Sequence, residues 1–308
     1  MQPTPDDVAA FRRDGFWVSR RPVVTGAELA RLRDHAMRVV GGGYETGRPP
    51  MSRNPADAEQ LAGLVQINNA YWADATLGRM VTDVRIGAAA AALAGVAGIR
   101  LWHDQLLYKP GSGAHAASPG PGANGADADG EITFHQDLGY WQCISDPRAL
   151  TCRLALLDEH PANGCMQVVR GSHRLTDRAG TPFIAGRNVF FPQNPPLAEQ
   201  LSQLAAAAGL DGPPPLTPLA VSAGCATFHT AKLVHGSLAN TDAAPAGRLS
   251  LVVHMIVDGT VFKGPTGPGA GHSSNTLLQP AAGEPYAGYY FPLIFREGEG
   301  NVWSTPRL

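Results

Sequence analysis

The sequence predicts a mainly β fold with flanking helices, built on a double-stranded β-helix core of the jelly-roll or cupin-like kind. Glycine (36) and proline (26) make up about a fifth of the 308 residues, which suits short strands joined by many turns. Hydrophobic residues are 44% of the chain, enough for a large core. Helical patterns prevail up to residue 93, and short apolar strands prevail after it. We expect one domain spanning residues 1–308.

Composition also limits the partners. The formal net charge of -2 argues against nucleic acid or an anionic membrane as a partner. The four cysteines form no C-x-x-C pair, which favours buried thiols over a disulfide framework or a zinc site. No basic and apolar signal segment opens the chain, and no apolar run reaches the length of a membrane span. We therefore expect a cytoplasmic protein, while the sequence leaves its oligomeric state open.

The first third of the chain carries the helical patterns. Residues 5–40 predict two helices around a short strand. Thr25 and Glu28 have the spacing of a capping box, with threonine at the cap and glutamate three positions on. Apolar residues at helical spacing predict a further helix over residues 74–93.

The rest of the chain is divided into short strands by turn signals. Residues 111–130 are rich in glycine, alanine, serine, proline and aspartate without periodicity, which predicts a mobile surface loop. Asn163 and Gly164 predict a tight turn. The predicted elements are strands over 99–108, 150–157, 165–169, 219–221, 226–230 and 248–257, with a short helix over 197–208.

Residues 131–137 predict a strand that carries the first candidate site. In a strand, residues two apart point to the same face, so His135 and Asp137 converge without bending the backbone. Such a pair is two thirds of the 2-His-1-carboxylate arrangement that holds non-haem Fe(II). With 10 histidines and 26 acidic residues, about one His-x-acid match is expected by chance. A strand histidine with a hydrogen-bonded ring is therefore the alternative interpretation of His135.

A third ligand is available later in the chain. His235 lies at the end of a predicted apolar strand, before a glycine turn at Gly236, and 98 residues after Asp137. A jelly roll can bring two such strands together, although spacing alone does not establish it. His229 competes for the role, but its position between Phe228 and Thr230 is more typical of a structural histidine.

Arg248 follows in an otherwise apolar strand, with Ser250 on the same face and Leu249 on the other. A buried arginine is costly without a counter-anion, and a planar guanidinium matches a carboxylate in bidentate fashion. Arg248 is thus a candidate anchor for a dicarboxylate co-substrate that chelates the metal with its other end. An internal ion pair with an aspartate or glutamate is the alternative.

The order of these motifs resembles that of the phytanoyl-CoA dioxygenase family of Fe(II)/2-oxoglutarate oxygenases. The resemblance covers roughly residues 8–257. Its segments are Phe11 to Phe16 near the N-terminus, Lys109-Pro110, Phe134-His135-Gln136-Asp137, Asn163-Gly164-Cys165, Gly171-Ser172-His173-Arg174, His235-Gly236-Ser237 and Arg248-x-Ser250.

The resemblance implies a set of roles. His135, Asp137 and His235 would bind Fe(II), and Arg248 would pair with the distal carboxylate of 2-oxoglutarate. Further contacts to that co-substrate would come from Ser237, Lys109 and Ser250. O2 would be the third reactant. Related halogenases have a small residue in place of the iron-binding carboxylate, so Asp137 favours oxygen chemistry over halogenation.

Two departures from the family pattern concern the pocket. The family often has a tryptophan on the strand before the Asn-Gly turn, whereas this chain has Arg153 or Leu154 in that position. The 111–130 segment is also unusually long.

Several other residues are weaker candidates. His103 and His254 lie on predicted strands, and His254 shares the Arg248 face, but both are more typical of core histidines. Tyr140 and Trp141 follow the metal strand and are candidates for pocket lining, although core packing is the commoner role. Asp158 and Glu159 cannot share a strand face, so we expect a solvated turn there. These residues are His103, His254, Tyr140, Trp141, Asp158 and Glu159.

The sequence thus predicts an Fe(II)- and 2-oxoglutarate-dependent oxygenase. We expect it to hydroxylate a small organic metabolite, in a biosynthetic pathway, with release of succinate and CO2. One alternative is a metal-dependent cupin enzyme that does not use 2-oxoglutarate. Another is a non-catalytic jelly-roll binding module.

Overall fold

The computed structural model describes residues 1–59, 63–111, 131–175, 197–242, 247–264, 278 and 280–299. The mobile loop predicted over 111–130 lies outside the described residues, apart from Gly111. Among the described residues, no helix is both long and apolar enough to cross a membrane.

The described strands form two antiparallel sheets, and residues of both sheets line one cavity. The larger sheet has the order β1-β9-β6-β11-β4-β3-β2, with β12 also paired to β4, and the smaller has the order β5-β10-β7-β8. This is the predicted jelly-roll core, without closure into a barrel in the part described. The strands are β1 (Phe16–Val18), β2 (Ser52–Asn54), β3 (Val65–Asn68), β4 (Gly98–Lys109), β5 (Ile132–His135), β6 (Leu150–Ala155), β7 (Met166–Val169), β8 (Leu216–Pro218), β9 (Ala226–Thr230), β10 (His235–Ser237), β11 (Arg248–Val257) and β12 (Leu293–Arg296).

The two helices predicted within residues 5–40 and the helix predicted over 197–208 are present, whereas the helix predicted over 74–93 is divided. They are α1 (Pro5–Asp14), α2 (Gly26–Val40), α3 (Ala75–Val81), α4 (Val84–Ala94) and α5 (Leu197–Ala208). The single helix predicted over 74–93 is two helices, because the Asp83 side chain accepts a hydrogen bond from the Arg85 amide and begins α4 anew.

The predicted capping box of α2 is wrong. Thr25 makes no side-chain cap, and Glu28 instead accepts a hydrogen bond from Arg85 at 3.2 Å. The capping box belongs to α1, where Thr4 and Asp7 bond each other reciprocally.

Two strand predictions also differ from the structure. The strand predicted over 219–221 lies at Leu216–Pro218, where it pairs with β7. His235 was expected at the end of an apolar strand, but it begins β10, and Gly236 is a strand residue rather than a turn.

Alternation along the large sheet separates an apolar face from a polar one. On β11, Leu249, Leu251 and Val253 join the core cluster that the N-terminal helices also enter. The intervening residues have the opposite orientation, which puts Val252 and His254 on the cavity wall. One face of the sheet is therefore covered by helices, and the other is free to build a site.

Candidate metal centre

Strands β5 and β10 bring two histidines together. They are antiparallel neighbours, and His135 and His235 are directly opposite each other in the register. Strand β5 ends at His135. The strand predicted over 131–137 is therefore too long, and Asp137 begins a 3-10 turn over Asp137–Gly139. One ligating atom from each of the three residues lies within 4.8 Å of the others.

Close approach of the two strands depends on Gly236. A Cβ atom at this position would lie 2.7 Å from the Ile132 carbonyl oxygen and 2.7 Å from Cδ2 of Phe134. Any larger residue would therefore push β10 away from β5 and separate the two histidines.

Backbone carbonyls orient both imidazole rings. The Nδ1 atom of His135 donates to the Thr133 carbonyl at 2.7 Å, and the Nδ1 atom of His235 donates to the Leu233 carbonyl at 2.9 Å. A neutral ring whose proton is on Nδ1 carries a lone pair on Nε2. These Nε2 atoms lie 3.5 Å and 3.6 Å from Oδ1 of Asp137. Three acceptor atoms thus face one another, an arrangement that a cation stabilises.

The second carboxylate oxygen of Asp137 is held by the protein. Oδ2 accepts hydrogen bonds from the Thr151 hydroxyl at 2.7 Å and from Nε2 of His229 at 3.2 Å. Because the Thr151 hydroxyl donates its hydrogen bond to Asp137, its oxygen accepts a hydrogen bond from Nδ1 of His254 at 2.9 Å. His229 therefore supports the carboxylate from behind and is not part of the group of three.

Electrostatics favour the protonation states that a metal requires. Burial alone would raise the pKa of Asp137, but His235, His135 and His229 together hold that pKa well below its usual range. Burial keeps the pKa of the His235 imidazole well below its usual value, and the neighbouring His229 acts in the same direction. Asp137 is thus favoured as a carboxylate and His235 as a neutral imidazole.

A cavity opens onto these three residues. Its described lining includes the two pocket candidates Tyr140 and Trp141, and also His103 and His254, which the sequence favoured as core histidines. The rings of His103 and His254 lie 4.3 Å apart. Of the four predicted co-substrate contacts, Ser237 lines the cavity, whereas Lys109, Arg248 and Ser250 are not among its described lining residues.

Arg248 is completely buried beside Lys109, its partner in the β11–β4 register. None of its three guanidinium nitrogens has a hydrogen-bond partner among the described residues. Burial lowers the pKa of Arg248 to about 9, and the neighbouring Arg153 acts in the same direction. Lys109 donates to the Ser237 hydroxyl at 2.8 Å and to the Leu238 carbonyl at 2.7 Å. Burial lowers its pKa, as do Arg248 and Arg153.

The internal ion pair that was the alternative for Arg248 belongs to Arg153. Its Nε lies 3.1 Å from both carboxylate oxygens of Glu159, and its Nη2 donates to the Ser250 hydroxyl at 2.5 Å. Ser250 in turn donates to Glu159 at 2.7 Å. The solvated turn predicted for Glu159 is therefore wrong, because this residue is 3% exposed.

The site thus has two distinct ends. The metal end consists of Thr151, His229 and His254 around Asp137, all of which line the cavity. The cation end consists of Arg153, which lines the cavity, and of Lys109 and Arg248, which are not among its described lining residues. Sequence reasoning missed Thr151 and the Arg153–Glu159 pair, although Thr151 and Arg153 are two positions apart and so share a face of β6.

Comparison with known proteins assigns the chain to a family. The model of the phytanoyl-CoA dioxygenase (PhyH) family matches residues 11–247. Ectoine dioxygenase of Bordetella parapertussis is 26% identical over 260 residues, which are 82% of this chain and 75% of that protein.

Solved structures show the same fold. The carbocyclase SnoK of nogalamycin biosynthesis superposes with a TM-score of 0.65 at 21% identity, covering 94% of this chain and 96% of SnoK. The epimerase SnoN, in complex with Fe3+, alpha ketoglutarate and nogalamycin RO, has a TM-score of 0.63 at 24% identity, covering 94% and 97%. EctD from S. alaskensis, with 2-oxoglutarate and 5-hydroxyectoine, has a TM-score of 0.59 at 22% identity, covering 86% and 80%. With a family match over most of its length, the chain belongs to the phytanoyl-CoA dioxygenase family.

Proposed function

We propose that this protein is an Fe(II)- and 2-oxoglutarate-dependent oxygenase that hydroxylates a small organic molecule, consuming O2 and releasing succinate and CO2. The observation that carries the proposal is the combination of three converging candidate ligand atoms with a buried arginine that has no hydrogen-bond partner among the described residues. Either feature alone fits several classes of protein. Together they match a site in which one co-substrate binds the metal through one end and a buried cation through the other.

The three candidate ligands fit iron. Two imidazole nitrogens and one carboxylate oxygen form the facial triad of non-haem Fe(II) enzymes, which leaves positions open on one side of the ion. His135, Asp137 and His235 would hold the ion, and Thr151 and His229 would orient the carboxylate. Bound iron would supply O2 activation coupled to oxidation of the 2-oxo acid.

The cation end fits a dicarboxylate. A buried guanidinium without an anion is unfavourable, so Arg248 is suited to receive a carboxylate that arrives with a ligand. Arg153 forms an ion pair with Glu159, whereas no described carboxylate bonds to Arg248. The alternative function, a metal-dependent cupin enzyme that does not use 2-oxoglutarate, does not require such an anchor.

The remaining cavity wall supports a small organic substrate. Trp141 and Tyr140 supply flat apolar surface near the candidate ligands, and the Tyr140 and His135 rings lie 5.7 Å apart. Gln66 and Gln105 add neutral amides that donate and accept hydrogen bonds. A molecule with both apolar surface and oxygen or nitrogen atoms suits this wall.

The relatives agree with these cofactors. The related ectoine enzyme carries the name dioxygenase, and two structural neighbours are complexes with 2-oxoglutarate or with Fe3+ and alpha ketoglutarate. SnoN and SnoK are named an epimerase and a carbocyclase, so the outcome of the reaction needs its own measurement.

The first test is anaerobic reconstitution of metal-free protein with Fe(II) and then 2-oxoglutarate, followed by visible absorption. We expect a weak charge-transfer band that is absent in His235→Ala and weakened in Arg248→Ala. The surface variant His160→Ala, whose ring is 43% exposed, is the matched control and should retain the band. A folded protein that binds Fe(II) but gives no band would contradict the 2-oxoglutarate function.

The second test follows products in air. Succinate release with candidate substrates identifies a productive one, and mass spectrometry then separates the outcomes. A gain of one oxygen atom supports hydroxylation, an unchanged mass indicates epimerisation, and a loss of two hydrogens indicates cyclisation or desaturation. A non-catalytic binding module would instead retain its ligand in His135→Ala and release no succinate.

A further inference from the structure

Arg153 is the residue of the cation end that faces the cavity. It lines the cavity, whereas Arg248 and Lys109 are not among the described lining residues. It also lies close enough to both to influence their charge states. Arg153 therefore presents positive charge where a ligand in the cavity can reach it.

The Arg153 guanidinium is fixed by hydrogen bonds through two of its nitrogens, which leaves the third nitrogen able to donate. Nε and Nη2 bond Glu159, and Nη2 also donates to Ser250. Nη1 makes no hydrogen bond to any described residue. Because Glu159 and Ser250 occupy one edge of the guanidinium, the remaining donor is fixed in direction at little entropic cost.

The local charges do not balance within the described residues. Glu159 contributes one negative charge, and it bonds Arg153 and Ser250 rather than Arg248. Among the described residues, the two guanidinium groups thus have one hydrogen-bonded carboxylate, which pairs with Arg153, and Lys109 lies beside Arg248. One further carboxylate would bring the pair of arginines to neutrality.

The position of Arg153 suits the far end of a short acid. Thr151, which bonds the candidate metal ligand Asp137, is two residues away on the same face of β6. That spacing is roughly 6.6 Å along a strand, similar to the length of an extended five-carbon dicarboxylate.

We propose that Arg153 is a second anchor for the distal carboxylate of the co-substrate, which would lie between Arg153 and Arg248. This inference rests on the proposed function. Glu159 and Ser250 act through Arg153 as positioning residues.

The test compares wild type with the double variant Arg153→Met/Glu159→Gln. Removing both charges of the ion pair avoids the buried unpaired charge that Arg153→Met or Glu159→Gln alone would leave. Calorimetry under anaerobic conditions measures Mn(II) binding first, then 2-oxoglutarate, and then 2-oxopentanoate, which lacks the distal carboxylate. Arg153→Lys, which keeps the charge but loses the bidentate geometry, is the second variant if the double variant does not fold. Arg148→Met, at an exposed arginine, is the matched control.

The expected result is selective. Affinity for 2-oxoglutarate should fall about 10–100-fold in the double variant and less in Arg153→Lys, with Mn(II) and 2-oxopentanoate unaffected. Equal losses for the two oxo-acids, or no loss for either, would overturn the role of Arg153 while leaving the proposed function intact. A wild type that binds Mn(II) but neither oxo-acid would overturn the proposed function, and this inference with it.

Discussion

The metal end and the cation end of the site differ in how their polar groups are hydrogen-bonded. At the metal end, protein atoms orient every candidate ligand: two carbonyls hold the imidazole rings, and Thr151 and His229 hold the carboxylate. At the cation end, Arg248 is buried with no hydrogen-bond partner among the described residues. The first end is preorganised by the fold, whereas under the proposed function the second would receive its counter-charge from the co-substrate. Substitutions should therefore separate metal affinity from co-substrate affinity.

The largest effect is expected for Asp137→Ala. This change removes the charged ligand and leaves two imidazoles, so the affinity for Fe(II) should fall by more than the roughly 100-fold that outer contacts contribute. Calorimetry with Mn(II) or Fe(II) measures it. Asp211→Ala, at an exposed carboxylate, is the control and should bind normally. Retained metal affinity in Asp137→Ala would move the candidate centre elsewhere.

Arg248→Met should separate the ends most clearly. Affinity for 2-oxoglutarate should fall by about 100-fold, because a charge-assisted contact is lost, while metal affinity stays unchanged. The free energy of unfolding without ligand should rise by about 1–3 kcal/mol, since an unpaired buried charge is replaced by an apolar chain of similar length. Urea denaturation measures this stability. A destabilised variant would indicate that the protein itself already compensates Arg248.

Thr151→Val tests the support of the metal end with nearly the same volume. Loss of the hydroxyl leaves Asp137 Oδ2 and His254 without their shared partner, and metal affinity should fall about 10–100-fold. Thr227→Val is a matched control, because this buried hydroxyl has no hydrogen-bond partner among the described residues. If both variants bind metal equally well, the contact to Asp137 does not tune the centre.

Ser250→Ala should have the smallest effect. It removes one donor to Glu159 and one acceptor for Arg153, but the bidentate ion pair remains. We expect 2-oxoglutarate affinity to fall by less than about tenfold, because Ser250 would act on the co-substrate only through Arg153, which Glu159 still holds. Titration against wild type and against Ser202→Ala, on the exposed side of α5, measures the difference. A loss as large as that of Arg248→Met would mean that Ser250 contacts the co-substrate itself.

The candidate metal ligands were predictable because their residue types and local spacing carry the signal. His135 and Asp137 converge as predicted, although the aspartate reaches the site from a 3-10 turn rather than from the strand. His235 could be named but not located, since its approach depends on pairing between β10 and β5.

Burial of charge was harder to predict. Alternation correctly implied that Asp158 and Glu159 face opposite ways, yet it could not say which one enters the core. Glu159 enters because Arg153 on β6 and Ser250 on β11 meet there, and that meeting depends on the packing of distant strands.

The sequence by itself determined the β-rich core with its N-terminal helices, the order of the motifs and the chemical types of the candidate ligands. These follow from periodicity, turn residues and side-chain chemistry, all of which are local. Only the tertiary structure decided which cation lines the cavity and which is buried with no hydrogen-bond partner in the described part of the chain. The reason is that period-two alternation assigns a face to Arg153 and Arg248, while sheet pairing sets the depth and the neighbours of each guanidinium.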